Sequence, residues 1–255
     1  MIFEKFVAQG IAQNSYFIGD RGYAVVIDPR RDIDVFLHAA RRHHARITHI
    51  IETHRNEDYV IGSLDLARAT GAEIHHGRHL DFRYGSAFAD GETIRIGSLV
   101  LEAHETPGHT PESLSLVVQD RSVSPDPYMV FTGDTLFAGE TGRTDLVPGQ
   151  RAAMSAALFH SIRDSIIPLG PGVIMCPAHG AGSVCGVEIV DHGIASIGYE
   201  TRTNPALGMQ EEEFVRKKME ENHYIPPYFR TMETFNRDGP PLLPRLPAIP
   251  PLTLR

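Results

Sequence analysis

Cysteine is scarce in this chain. Cys176 and Cys185 are the only two among 255 residues. Two thiols are too few for a disulfide framework, and no C-x-x-C pair is present to suggest a structural zinc site. Long apolar runs are also missing. No stretch approaches the ~18 residues expected of a membrane-crossing helix. The first ten residues, MIFEKFVAQG, lack a basic segment followed by an apolar one. The expectation is a cytoplasmic protein without a membrane partner. An excess of positive charge is absent too: 24 Lys and Arg against 32 Asp and Glu give a net charge of −8. Nothing in that balance favours nucleic acid.

The composition that remains is that of an ordinary globular protein, long enough to bury a sizeable core as one large α/β domain or two small ones. Short apolar or alternating runs at residues 3–8, 15–18 and 24–27 predict strands separated by turn residues. Residues 32–44 predict an amphipathic helix, with Ile33, Phe36, Leu37 and Ala40 on one face. A strand over 47–51 leads into Glu52-Thr53-His54, and a second helix over 62–70 is closed by Gly71. Further strands are expected at 94–96, 99–103, 113–118 and 129–132. A long helix over 151–166 then precedes a strand at 173–176. No internal repeat is evident. The pattern is a mixed sheet system rather than a strict βαβ alternation.

The C-terminal end differs in character. Six of the twelve residues from 240 to 251 are proline, which rules out a central strand or a helix interior there. The expected division is a domain over 1–235 and a proline-rich tail over 236–255. That tail either packs on the domain surface or forms a semi-rigid linker.

Histidine is plentiful, at 14 residues, and the informative ones follow strands. Thr53-His54-Arg55-Asn56-Glu57-Asp58-Tyr59, Pro107-Gly108-His109-Thr110, Gly133-Asp134 and Pro177-Ala178-His179-Gly180 each place a polar side chain where a strand gives way to a loop. A rigid strand fixes the base of such a loop while its side chains point outward. Gly108 and Gly133 permit a sharp backbone turn immediately before His109 and Asp134.

These motifs resemble the metallo-β-lactamase superfamily and, within it, the persulfide dioxygenases, including members fused to rhodanese domains. The first stretch corresponds to the family's T-H-x-H-x-D-H motif, and Thr141-Gly142-Arg143-Thr144-Asp145 looks like the G-R-T-D segment of the dioxygenases. The resemblance covers about residues 1–230. It implies an α/β (α+β in some schemes) αββα sandwich with a metal at one edge between the two sheets.

Two departures from the motif direct the functional reading. Asn56 and Tyr59 stand where the two-metal hydrolases carry histidines. A carboxamide and a protonated phenol are poor transition-metal ligands. The second metal site then lacks ligands, keeping only Asp58, His179 and a shared Asp134, and a binuclear zinc hydrolase is disfavoured. His54, His109 and Asp134 remain as two imidazoles and one carboxylate, the facial set that leaves three positions open on iron(II). One Fe(II) per chain is the expected cofactor, with zinc as a substitute. The resemblance implies oxidation of a low-molecular-weight persulfide, of glutathione or coenzyme A type, by dioxygen to sulfite and free thiol. The alternative is a mononuclear thioester hydrolase of glyoxalase II type. A third reading is a non-catalytic sulfur-handling module.

Roles follow for the neighbouring residues. Asp58 and Asn56 are expected to orient ligands or bound water. Tyr59 either donates to an oxygen intermediate or fills the space of the lost ligand, and His179 assists proton transfer or is structural. Arg143 orients substrate or braces the metal loop, with Asp145 as an ion-pair partner. Cys185, six residues beyond His179 in a glycine-rich loop, either meets the substrate or is an inert buried thiol. Cys176 is assigned to packing, and His75, His76 and His79 to a surface or core cluster. A homo-oligomer is expected, with a rhodanese domain or protein as the sulfur-handling partner.

Overall fold

The computed structural model describes residues 1–186, 188–191 and 195–243. Its strands form two six-stranded sheets. The first runs in order β1 (Ile2–Ala8), β2 (Gln13–Asp20), β3 (Tyr23–Ile27), β4 (Arg46–Ile51), β5 (Glu73–His76) and β6 (Ser86–Ala87). The second runs from β12 (Ala195–Ser196) through β11 (Ile174–Pro177), β10 (Pro127–Gly133), β9 (Leu114–Asp120) and β8 (Leu99–Glu105) to β7 (Thr93–Ile96). The expected αββα sandwich is therefore observed.

The side chains explain the layering. Along β2, Tyr16 and Ile18 face one way and Phe17 the other, and all three are buried. Such a strand is covered on both faces. Tyr16 and Ile18 join Val25, Ile27 and Ile51 against Leu99, Leu101, Leu116, Val118 and Phe131 of the opposing sheet. Phe17 instead joins Val26, Ile47 and Ile50 beneath α1 (Asp34–Arg42) and α2 (Ser63–Thr70), through Phe36, Ala39 and Leu66. On the far side, Val117, Val130 and Met175 pack beneath α3 (Arg151–His160) and the turns that follow it.

The expected long helix over 151–166 is not one regular helix. α3 ends at His160 and a π-helical turn, Ser161–Ile166, carries the chain on to a short 3₁₀ turn, Ile167–Leu169. The Ser161 hydroxyl donates to the Pro107 carbonyl at 2.7 Å, tying the turn to the loop that presents His109. Pro168 lacks the N–H that a longer helix would need.

After residue 196 the chain adds α4 (Ile197–Thr203), α5 (Glu211–Glu220) and α6 (Phe229–Asp238), which were not among the expected elements, although α6 is as amphipathic as α1. α6 runs through the expected boundary at 235/236. Of the proline-rich segment, residues 244–251 lie outside the described residues. The part before them lies on the domain: the Leu243 N–H donates to the Asp65 carboxylate at 2.9 Å, and Arg31 donates to the Pro241 carbonyl. No helix among the described residues is long and apolar enough to cross a membrane.

Candidate metal centre

β8, β10 and β11 run in the same direction, since β8 and β10 both pair antiparallel with β9 and β10 pairs parallel with β11. Their C-terminal ends therefore share one edge of the second sheet, where His109, Asp134 and His179 follow. His54 arrives from the end of β4 in the first sheet. The edge is stitched shut by backbone hydrogen bonds between the sheets: Leu114 N–H to Thr53 O at 2.7 Å and Asn14 N–H to Ala178 O at 2.7 Å. Two glycines make the approach possible. Gly133 has φ 52°, and a Cβ there would stand 2.8 Å from Thr53 Oγ1. Gly108 has φ 144°, and its Cβ would stand 2.4 Å from that of Leu158. A side chain at either position is sterically opposed as well as conformationally strained.

The buried polar atoms at this edge without a hydrogen-bond partner include His54 Nε2, His109 Nε2 and Asp134 Oδ2. Asp134 Oδ2 lies 3.8 Å from His54 Nε2 and 3.5 Å from His109 Nε2. Buried polar groups without partners are costly, and a shared cation satisfies all three at once. The opposite ring nitrogens set the tautomers. The Thr53 hydroxyl donates to Asp28 at 2.7 Å, so its oxygen is available to accept His54 Nδ1–H at 2.9 Å. His109 Nδ1–H donates to the Arg143 carbonyl at 3.0 Å. Both imidazoles thereby turn Nε2 toward Asp134. Without a metal, burial acts to lower His109 but Glu57 and Asp134 raise its pKa, and a bound cation would take the place of that Nε2 proton.

His179 is held differently. Its Nδ1 meets Asp134 Oδ1 at 2.8 Å and its Nε2 meets Asp58 Oδ2 at 3.0 Å. Burial opposes its charge, but Asp134, Cys185 and Asp58 outweigh that and raise its pKa well above the ordinary imidazole value. A histidine donating from both nitrogens has no lone pair for a metal. Burial likewise acts to raise Asp134, yet His179, His54 and His109 together hold it well below the usual carboxylate range. His54, with burial dominant, is pushed down to about 4. The arrangement fits one divalent cation on His54, His109 and Asp134, with the His179 imidazolium bracing the aspartate from behind.

The other residues singled out in the sequence take up varied positions. The Asn56 amide donates to the His54 carbonyl at 3.2 Å, shaping the loop. The Tyr59 hydroxyl lies beside Gln13 Nε2 and the Asp28 carbonyl, and none of its hydrogen bonds involves a metal-site side chain. Arg143 is completely buried. It forms a two-pronged ion pair with Asp145 at 2.7 and 2.9 Å and donates to the carbonyls of Val184 and Tyr224. Those contacts are the bracing ones. Cys185 brings its Sγ 3.5 Å from Glu57 Oε1, and burial raises its pKa well above the ordinary thiol value. Cys176 packs between the sheets and is pushed up to about 12 by burial. His76 stacks on Phe82 at 4.0 Å, His75 on His49 at 5.4 Å, and His79 pairs with Glu105.

Sequence reasoning passed over Glu57. It is completely buried, with Oε2 3.4 Å from His109 Nε2. Burial opposes its ionisation, but His109 outweighs this and holds it below the usual glutamate value. The available signal was an acidic residue at a variable position of the motif. Asp28 and Asn236, which hold the first loop through Thr53, Asn56 and Tyr59, carried no signal.

A two-sheet sandwich with histidines and an aspartate converging at the strand ends defines a class of metal-dependent proteins. Residues 8–179 match the Metallo-beta-lactamase superfamily, and the chain belongs to it. Within that superfamily it is persulfide dioxygenase-like. It is 30% identical over 212 residues to the mitochondrial persulfide dioxygenase ETHE1 of Homo sapiens, covering 79% of this chain and 74% of the human one. The crystal structure of ETHE1 from Myxococcus xanthus is 27% identical with a TM-score of 0.81, covering 93% of this chain and 98% of that one. A metallo-β-lactamase structure from Staphylococcus aureus reaches a TM-score of 0.90 at 30% identity, covering this chain fully and 77% of its own. A hydroxyacylglutathione hydrolase of Anaeromyxobacter dehalogenans is 31% identical over 181 residues, 70% of this chain and 65% of that protein.

Proposed function

We propose that the chain is a mononuclear iron(II) persulfide dioxygenase, converting R–S–SH, O₂ and water to R–SH and sulfite. The observation that carries this reading is the convergence of His54 Nε2, His109 Nε2 and Asp134 Oδ2, unpartnered and buried, while His179 is engaged at both nitrogens. One cation would find a facial donor set here, while the histidine that a paired-metal hydrolase would use at the second position is held between two carboxylates. Iron(II) bound to such a set would supply open positions for a soft sulfur donor and for dioxygen, with the dioxygen activated by electrons from iron and sulfur.

The protein's own residues do the positioning. Thr53 and the Arg143 carbonyl fix the ligand tautomers, and His179 holds Asp134 so that only Oδ2 faces the metal. The low-molecular-weight carrier is a thiol of glutathione or coenzyme A type. A rhodanese-type partner, a homo-oligomeric assembly and a cytoplasmic setting belong to the same proposal.

The test is oxygen-electrode measurement on anaerobically iron-loaded protein given glutathione persulfide or coenzyme A persulfide. One sulfite formed per O₂ consumed is expected, with His109→Ala losing both metal and uptake. Absence of oxygen uptake at full iron occupancy sinks the reading. Turnover of a glutathione thioester by the zinc form under nitrogen would point instead to the hydrolase reading, which the Anaeromyxobacter similarity favours.

A further inference from the structure

The donors at the metal position are not exhausted by His54, His109 and Asp134. Glu57 shares the loop of His54, is completely buried, and leaves Oε2 without a hydrogen-bond partner. That oxygen lies 3.4 Å from His109 Nε2, nearly the 3.5 Å that separates the same nitrogen from Asp134 Oδ2. Donor atoms of His54, Glu57 and His109 all fall within 4.8 Å of one another, as do those of Glu57, Asp134 and Cys185. Ligand atoms about 2.1 Å from one ion stand ~3 Å apart when adjacent and ~4 Å apart when opposite. Glu57 Oε2 therefore stands as close to His109 Nε2 as the aspartate ligand candidate does, and within one ligand cluster with His54 and His109.

We propose that Glu57 is a fourth protein ligand to this metal, converting a two-histidine, one-carboxylate set into a two-histidine, two-carboxylate set. The proposal rests on the metal site itself and not on the oxidation chemistry assigned to it. Charge supports it. His179 lies between Asp58 at 3.0 Å and Asp134 at 2.8 Å, so one imidazolium is shared by two carboxylates, and Glu57 brings the group to a net charge of about −2. With Glu57 the buried cluster neutralises a divalent cation, whereas without it a net positive charge would be left in a buried site. The Cys185 thiol lies 3.5 Å from Glu57 Oε1 and can donate to it, leaving Oε2 to face the metal. The carboxylate thus restores, one position along, a ligand that Asn56 does not supply. Two coordination positions would then stay open instead of three, enough for one sulfur donor and one dioxygen.

The test uses the wild-type chain with Glu57→Gln and Glu57→Ala, stripped of metal and reloaded anaerobically with Fe(II) or, for affinity, with Co(II). In the metal-loaded wild-type crystal structure, a Glu57 oxygen is expected within ~2.3 Å of the ion. Competition against a chromogenic chelator should show both variants binding metal at least ~10-fold more weakly. Circular dichroism of the metal-free variants confirms that they fold. If they do not, the wild-type metal–oxygen distance decides alone. Glu57 oxygens remaining beyond about 3 Å from the bound metal, or Glu57→Gln binding metal as tightly as the wild type, overturns the proposal. Oxygen uptake has no bearing on either outcome, so this test can fail while the proposed reaction stands, and the reverse.

Discussion

At the scale of single residues, Arg143 joins more of the site than any ligand does. Its carbonyl accepts the Nδ1–H of His109, while its guanidinium holds Asp145 and the carbonyls of Val184 and Tyr224. It also lies over the Phe229 ring, with the guanidinium carbon 5.7 Å from the ring centroid. Removing one member of a buried ion pair leaves the other uncompensated, at a cost of about 3–5 kcal/mol. Arg143→Ala is therefore expected to lose roughly that much stability in urea unfolding and to bind metal more weakly. Arg143→Lys should be intermediate, since an ammonium does not reproduce the two-pronged contact. A residue that only orients substrate would raise KM and leave the unfolding curve in place. Stability unchanged in Arg143→Ala would refute the bracing role.

Elements meet the metal loop through α6. Asn236 on this helix donates to the carbonyls of Asn56 and Tyr59 and accepts from the Ile61 N–H. Its own carbonyl accepts from the Tyr84 hydroxyl at 2.8 Å, and that hydroxyl lies 2.9 Å from the Glu52 carboxyl. The Tyr84 hydroxyl donates to Glu52, and that contact and one from Ser63 act to lower the Glu52 pKa against its burial. Burial, the dominant influence, nonetheless raises Glu52 from 4.5 to about 8. The sign follows. The folded protein keeps this proton to about pH 8, whereas the unfolded chain loses it near pH 4.5. Stability from Glu52 is thus fully present below pH 4.5 and lost as pH rises through 8. In metal-free protein, the stability difference between wild type and Glu52→Gln should shift against the wild type by a few kcal/mol, on the order of the pKa displacement, between pH 5 and pH 9. Urea unfolding at stepped pH measures this, and a constant difference would refute it.

For the whole molecule, the two sheets meet at an edge filled with polar groups. His54, Glu57, His109 and Asp134 keep unpartnered buried atoms there, so a cation bound to them would add to the cohesion of the sandwich. A ligand bound only by the folded state, at about a thousand times its Kd, stabilises it by roughly 4 kcal/mol. Chelation under nitrogen should lower the calorimetric Tm by several degrees, and Fe(II) or Zn(II) should restore it. A Tm indifferent to metal would mean that the edge is satisfied without one.

The αββα layering and the positions of His54, His109 and Asp134 were legible in the sequence because each signal is local. An apolar strand, a turn residue and a polar side chain lie within a few positions of one another. The short helices α4 and α5 were not, since they are largely polar and settle through Ile197 and Phe214 packing with Val173 and Met175 from a distant part of the chain; α6 had a local amphipathic signal that went unread. The loop after β4 shows the limit most clearly. Adjacent residues in an irregular loop point in directions that spacing does not determine, and Asn56 rather than Glu57 had the position expected to matter. The sequence by itself determined that His54, His109 and Asp134 follow strand ends, because that placement is set by short-range chain geometry. Only the tertiary structure decided where the Glu57 and His179 side chains point, because those directions depend on contacts with Cys185, Asp134 and Asp58 that form when the two sheets close.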